Sequence, residues 1–379
     1  MNDSGPKPHA STNPPPDAAR ADRAEAEKRY IELVDEAITD FLTRQRLVML
    51  EISPEAMPLV DHIETLCSGG KRMRALLAYW GWRAAGGSAR APEVVLAGAA
   101  IELFQSAALI HDDIIDHSDT RRGRPSVHRA FEAMHRDEGW SLNGEEFGVM
   151  GGIVAGDLCL SFSEAVFASI GSQQASTGRA RRIFDIMRTE VMAGQYLDGL
   201  SEVMGTEDPE EAIHRASTVI RYKSAKYSCE HPLTLGAALA GADEALLKGL
   251  SDFGLPLGEA FQLRDDVLGV FGEPEVTGKP AGDDLREGKR TVLIALAERT
   301  ATEEQAAFLE SHLGHPDMDE KTVEAMVDII RDTGALAEAE SIIRTTERQV
   351  QAALRKIDTE PSIIGALEDV ASRALHRSS

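Results

Sequence analysis

Two stretches of this chain, residues 93–117 and 244–270, are apolar around most of a helical circumference, and each ends in paired aspartates. A helix that is apolar on all sides has to be enclosed by other helices, because it has no face suited to water. The rest of the chain can supply those partners. From Tyr30 on, apolar residues recur at three- and four-residue intervals, as in Ile31, Leu33, Val34, Ala37, Ile38 and Phe41, which is amphipathic helix spacing. Short alternating runs of β-branched and aromatic residues between tight turns are nearly absent, so strands are not expected. The pattern predicts an all-α fold in which 93–117 and 244–270 are central helices.

Nothing in the middle of the 379 residues reads as a linker, so one large domain over 28–379 is expected. Residues 1–27 hold Pro6, Pro8, Pro14, Pro15 and Pro16 among small polar residues, without apolar periodicity. They read as a disordered tail. Forty Lys and Arg against 63 Asp and Glu give a net charge of −23, which argues against a general nucleic-acid binder, since phosphate affinity needs clustered cations. Three scattered cysteines (Cys67, Cys159, Cys229) lack metal-type spacing and read as buried thiols. The N-terminus shows no basic segment followed by an apolar stretch, and no uninterrupted apolar run reaches membrane-spanning length. The expectation is a cytoplasmic protein that does not span a membrane.

The chemistry gathers in three places. In Leu109-Ile110-His111-Asp112-Asp113-Ile114-Ile115-Asp116, Asp112 and Asp116 share a helix face and Asp113 lies about 100° round. Crowded carboxylates repel one another, and hard oxygens with spare coordination suit Mg²⁺ bridging to a phosphate-bearing substrate. Taken alone, a solvated helix end explains this motif as well. Phe261-Gln262-Leu263-Arg264-Asp265-Asp266 repeats the arrangement roughly 150 residues later, so two acid clusters on two buried helices can face each other across a cavity. The third element is cationic. Gly69-Gly70-Lys71-Arg72-Met73-Arg74 precedes a helix, Arg121-Arg122-Gly123-Arg124 follows the first acid motif, and Lys223, Lys226, Lys279, Lys289 and Arg290 lie further on. Arg forks, Lys point charges and glycine ahead of a helix are how proteins hold phosphates.

These motifs, with Gly194-Gln195, Lys223-Ser224 and Gly278-Lys279-Pro280 in the same order, resemble the trans-isoprenyl diphosphate synthases over essentially everything after the tail. The resemblance implies an isoprenoid synthase-type helical bundle around a central apolar cavity, usually a homodimer. It implies that Lys71, Arg74 and Arg122, with Gln105 where many relatives have histidine, hold isopentenyl diphosphate. Arg121, Lys223, Ser224, Gln262, Lys279 and Lys289 would hold the allylic diphosphate. Asp112, Asp116 and Asp265 would bind Mg²⁺ directly, several ions per site, with Asp113 and Asp266 as ligands or supports. This sequence departs from the pattern at Gly269, where many relatives carry a third aspartate, and at Ser224, where threonine is commoner.

The reaction so implied is the condensation of isopentenyl diphosphate with dimethylallyl, geranyl or farnesyl diphosphate. Charge on the leaving diphosphate must be neutralised while the carbocation is shielded from water. Product length is expected to depend on the side chains ahead of Asp112. Ala108 and Ala107 leave the cavity open and Phe104 is the candidate floor, which favours geranylgeranyl diphosphate (C20), with a longer polyprenyl product as the alternative. A class I terpene cyclase would leave the cations at 69–74 and 121–122 unexplained. A non-catalytic subunit of a heteromeric synthase should have lost metal or diphosphate residues, and only Gly269 points that way.

Overall fold

The computed structural model describes residues 16–171, 175–205, 208–272, 282–315 and 318–375. Helix α1 (Pro16–Ile52) is followed by α2 (Met57–Cys67), α3 (Met73–Ala84) and α4 (Pro92–Ile115). A two-residue strand pair, β1 (Thr120–Arg121) and β2 (Arg124–Pro125), leads into α5 (Val127–Asp137), α6 (Gly144–Ala168) and α7 (Ala175–Val203). Next come α8 (Pro209–Val219), a π-helical segment (Ile220–Glu230), α9 (His231–Leu239) and α10 (Glu244–Phe271). The C-terminal part comprises a short turn α11 (Asp283–Arg286), then α12 (Val292–Thr300), α13 (Glu303–His312), α14 (Glu320–Asp332), α15 (Ala335–Leu354) and α16 (Pro361–Leu375).

The two all-apolar stretches are α4 and α10. Helix α4 packs between α6, α3 and α1, and Ile101, Leu103, Phe104 and Ile110 along it are buried. Helix α10 begins where the Asp243 side chain accepts from Leu246 N at 2.8 Å, a cap that satisfies one of the orphan donors of the first turn. Its first half (Leu250, Phe253, Leu257) enters the main apolar core, and its second half (Leu263, Val267, Val270) enters a second core with α12, α14 and α15.

One sequence expectation needs correction. Residues 1–15 lie outside the described residues, but α1 starts at Pro16, well before the expected end of the tail at 27. Arg23 donates to Asp369 at 2.7 Å, and Glu27 accepts from Trp80 Nε1 and from Arg373, each at 2.9 Å, so this stretch is tied to α3 and α16. By length and overall composition α4 and α6 could each cross a membrane, although Glu102 and Asp157 interrupt their apolar runs. In α4, 72% of the most apolar window is buried in protein, as befits a core helix.

The π segment sets up the site. The His231 N–H bonds back to Lys226 O, five residues earlier, and Pro232, which has no N–H to give to a helical ladder, follows immediately. Lys223 and Lys226 lie on this segment, and π-helical turns of this kind recur at functional sites. Neighbouring helices come unusually close to it. A Cβ at Gly194 of α7 would collide with the backbone N of Lys223, and one at Gly258 of α10 would lie 2.5 Å from Ala225 O.

Candidate active site

The first acid motif closes α4. Asp113 is 1% exposed and accepts from Arg121 Nε at 2.8 Å, so its carboxylate aims the arginine. Asp112 faces the π segment, with Lys223 Nζ 3.2 Å from Asp112 Oδ1, an oxygen that is buried and accepts no hydrogen bond of good geometry. Lys223 also pairs with Asp198 of α7. Burial alone would lower the Lys223 ammonium, but Asp112 and Asp198 outweigh it and hold its pKa above the usual lysine value.

The second motif approaches from α10. Asp266 is buried and accepts from Gln262 Nε2 at 2.9 Å. Burial raises its pKa to about 8, the neighbouring Asp284 and Asp265 push the same way, and the Gln262 hydrogen bond opposes. Asp116 is raised to about 6, by burial and by Asp112. Lys289 joins the two motifs, lying 3.7 Å from Asp116 on one side and 3.6 Å from Asp284 on the other, and pairing with Glu287. Burial would lower this ammonium too, yet Asp284, Glu287 and Asp116 raise it.

Gly269 acquires a physical reading here. A Cβ at that position would run into the Asp284 carboxylate, so a carboxylate from α11 occupies the space beside Gly269.

The glycine-rich loop and the β1–β2 turn meet. Arg122 (φ 54) and Gly123 (φ 73) both take the left-handed conformation, which reverses the chain in two residues and sends Arg121 and Arg122 in different directions. Arg122 donates to Leu66 O and Gly69 O, each at 3.1 Å. Gly70 (φ 106) gives it room, since a Cβ there would sit 3.0 Å from the guanidinium. Arg72, also left-handed (φ 49), is buried against Asp35 and Glu102 and fixes the loop from beneath. Arg74 enters α3, donates to Ser228 Oγ at 2.7 Å, and has a buried Nε without a partner.

Most of the expected residues therefore line one region: Arg74, Gln105, Asp112, Asp113, Asp116, Arg121, Arg122, Lys223, Gln262, Asp266 and Lys289. Asp265 and Ser224 lie on the same elements, and Lys71 is exposed in the loop before α3. Lys279, with Gly278 and Pro280, lies outside the described residues. Two cations fall elsewhere: Lys226 pairs with Glu190 at 2.6 Å, and Arg290 with Glu310 at 2.9 Å. Sequence reasoning missed Asp198, Asp284 and Glu287. Asp198 follows Gly194-Gln195 by one helical turn, a spacing that could have flagged it, but Asp284 reads as part of an ordinary acidic turn.

The donor set fits Mg²⁺. The carboxylates are hard oxygens, burial raises the pKa of Asp116 and Asp266, and Asp112 Oδ1 is buried without a hydrogen bond. Among the described residues no three Asp, Glu, His or Cys side chains converge tightly enough to hold a metal by themselves. Ions here would need further oxygens, as Mg²⁺ takes them from water and substrate phosphates.

Comparison with known proteins agrees with this geometry. Residues 58–330 match the family model of polyprenyl synthetase. The chain is 31% identical to the geranylfarnesyl diphosphate synthase of Aeropyrum pernix over 82% of its own length and 88% of that protein. It is 32% identical to the geranylgeranyl diphosphate synthase of Saccharolobus solfataricus over 70% and 73%. A crystal structure of geranylgeranyl pyrophosphate synthase from Corynebacterium glutamicum, complexed with isoprenyl diphosphate and magnesium, superposes with a TM-score of 0.87 at 39% identity, covering 92% of this chain and 99% of that one.

Proposed function

Since this chain belongs to the polyprenyl synthetase family and is a chain-elongating prenyltransferase, we propose that it condenses isopentenyl diphosphate with dimethylallyl, geranyl or farnesyl diphosphate to give geranylgeranyl diphosphate. The observation that carries the reading is the junction at Lys289, which lies between Asp116 on one acid motif and Asp284 beside the other.

In this mechanism Asp112, Asp116 and Asp265 hold Mg²⁺, with Asp113 and Asp266 supporting them. When bound, the ions neutralise charge on the leaving diphosphate. Lys223, Lys289, Arg121, Ser224 and Gln262, together with Lys279, grip the allylic diphosphate as its bond to carbon breaks. Lys71, Arg74, Arg122 and Gln105 hold the isopentenyl diphosphate so that its double bond attacks the carbocation. The proton lost from the adduct passes to the departing diphosphate. Apolar walls exclude water that would otherwise quench the cation.

The tail of the growing chain runs along α4. Asp112 and Phe104 are eight residues apart, about 12 Å of helix. Between them Ala108 and Ala107 add no bulk, and Phe104 is 1% exposed. The relatives' names span several product lengths, so length is argued from these side chains and not from kinship.

On adjoining helices α6 and α7, Met150, Ile153, Val154, Ile186, Met192 and Tyr196 are exposed. An apolar face of this kind suits a second copy of the chain, and a homodimer is part of the proposal. So are a cytoplasmic location and a single domain after the tail, the latter because α10 feeds both cores.

Incubating the protein with Mg²⁺, isopentenyl diphosphate and each primer, then sizing the dephosphorylated products, tests the reading. A C20 alcohol is expected, and Phe104→Ala is expected to add at least one isoprene unit. No elongation from any primer would overturn the proposal, and an unchanged product in Phe104→Ala would move the floor elsewhere.

A further inference from the structure

Side chains of the π segment reach α4 at two points. Near the acid motif Lys223 meets Asp112 at 3.2 Å. Four residues further along the π segment, Tyr227 donates its hydroxyl to Gln105 Oε1, and its ring stands 5.7 Å from that of Phe104 at 77°. Tyr227 is 4% exposed. Arg74 lies over the same tyrosine ring, its guanidinium carbon 4.4 Å from the centroid, and is tied to the next residue through Ser228 Oγ. One side chain thus touches two of the four proposed isopentenyl diphosphate ligands, Arg74 and Gln105, and the proposed floor of the tail cavity.

We propose that Tyr227 is a positioning and specificity-determining residue that orients Arg74 and Gln105 toward the isopentenyl diphosphate and forms, with Phe104, a two-ring floor. It rests on the reading of Arg74, Gln105 and Phe104 given above. The ring face steers the guanidinium, a cation–π contact made stronger by burial. With Oε1 of Gln105 engaged by the phenol, the amide Nε2 donors remain for the diphosphate. The Tyr227 and Phe104 rings meet edge to face, 5.7 Å apart. A tail that grows down the groove meets both rings together, and removing either one widens the stop.

Tyr227→Phe and Tyr227→Ala, assayed for product length and for the KM of each substrate, test the proposal. Tyr227→Phe loses one hydrogen bond and keeps the ring, so it should retain the C20 product while the KM for isopentenyl diphosphate rises about three- to tenfold and that for the allylic primer holds. Tyr227→Ala should raise the isopentenyl KM at least as far and release products longer than C20. Wild-type product length and wild-type isopentenyl KM in Tyr227→Ala would overturn the proposal. If the alanine variant does not fold, Tyr227→Leu carries the test: it removes the hydroxyl and the π face, so an unchanged isopentenyl KM there is equally fatal. A wild-type enzyme that does not stop at C20, or an unchanged product in Phe104→Ala, would instead overturn the floor reading, and the KM comparison would still decide whether Tyr227 positions the ligands.

Discussion

Asp112→Ala is expected to lower turnover by at least about 10²–10³-fold, the cost typical of deleting one preorganised charge-stabilising group, and Asp265→Ala should do the same from the opposite motif. The size of the effect follows from where Asp112 sits. Its Oδ1 is buried without a hydrogen bond and 3.2 Å from Lys223, so the carboxylate is oriented toward the diphosphate region and not bound up in holding the fold. Its loss leaves Lys223 paired with Asp198 alone and places the lysine's charge differently. The check is kcat at saturating substrates and Mg²⁺, with circular dichroism to establish folding. Rates like those of the wild type in either variant would sink the metal assignment.

The second large effect is structural and separates two glycines on one helix. Gly194→Ala should destabilise the protein by about 1–3 kcal/mol, the usual cost of overpacking, because the new Cβ meets the backbone of Lys223 and no rotamer change can relieve it. Displacing that backbone also moves the Lys223 ammonium, so activity should fall with stability. Gly199 of the same helix has nothing within 4 Å of its would-be Cβ, and Gly199→Ala should stabilise by about 0.5–1 kcal/mol through helix propensity. Denaturant melts of the two variants decide it. Equal midpoints would mean that the π segment is not packed as tightly on α7 as described.

The legibility of this fold in its sequence varies with the physical signal. Helices α4 and α10 were readable almost to their ends, as 93–117 against Pro92–Ile115 and 244–270 against Glu244–Phe271, because an all-round apolar pattern has few alternatives. The start of α1 was not. The cluster Pro14-Pro15-Pro16 suggested disorder, yet proline is well tolerated in the first turn of a helix and the following residues are rich in alanine. The π segment gives no periodic signal, since its register depends on Pro232 and on the close approach of α7 and α10. Among site residues, motif-borne carboxylates and cations were legible as types. Their partners were not: that Asp113 aims Arg121 and that Asp284 fills the space beside Gly269 depends on how the turns after α4 and α10 fold back, and that Tyr227 joins Arg74 to Phe104 depends on side chains remote in sequence.

The central claim, that one centre ionises an allylic diphosphate and adds an isopentenyl unit to the resulting carbocation, is tested most directly by stoichiometry. Inorganic diphosphate release and incorporation of labelled isopentenyl diphosphate would be followed in one reaction primed with geranyl diphosphate, with Mg²⁺ or with excess chelator. One diphosphate released per isopentenyl unit incorporated, and neither event under chelation, is the expected result. Diphosphate release without incorporation would contradict the account and mark an enzyme that ionises its substrate but does not elongate it.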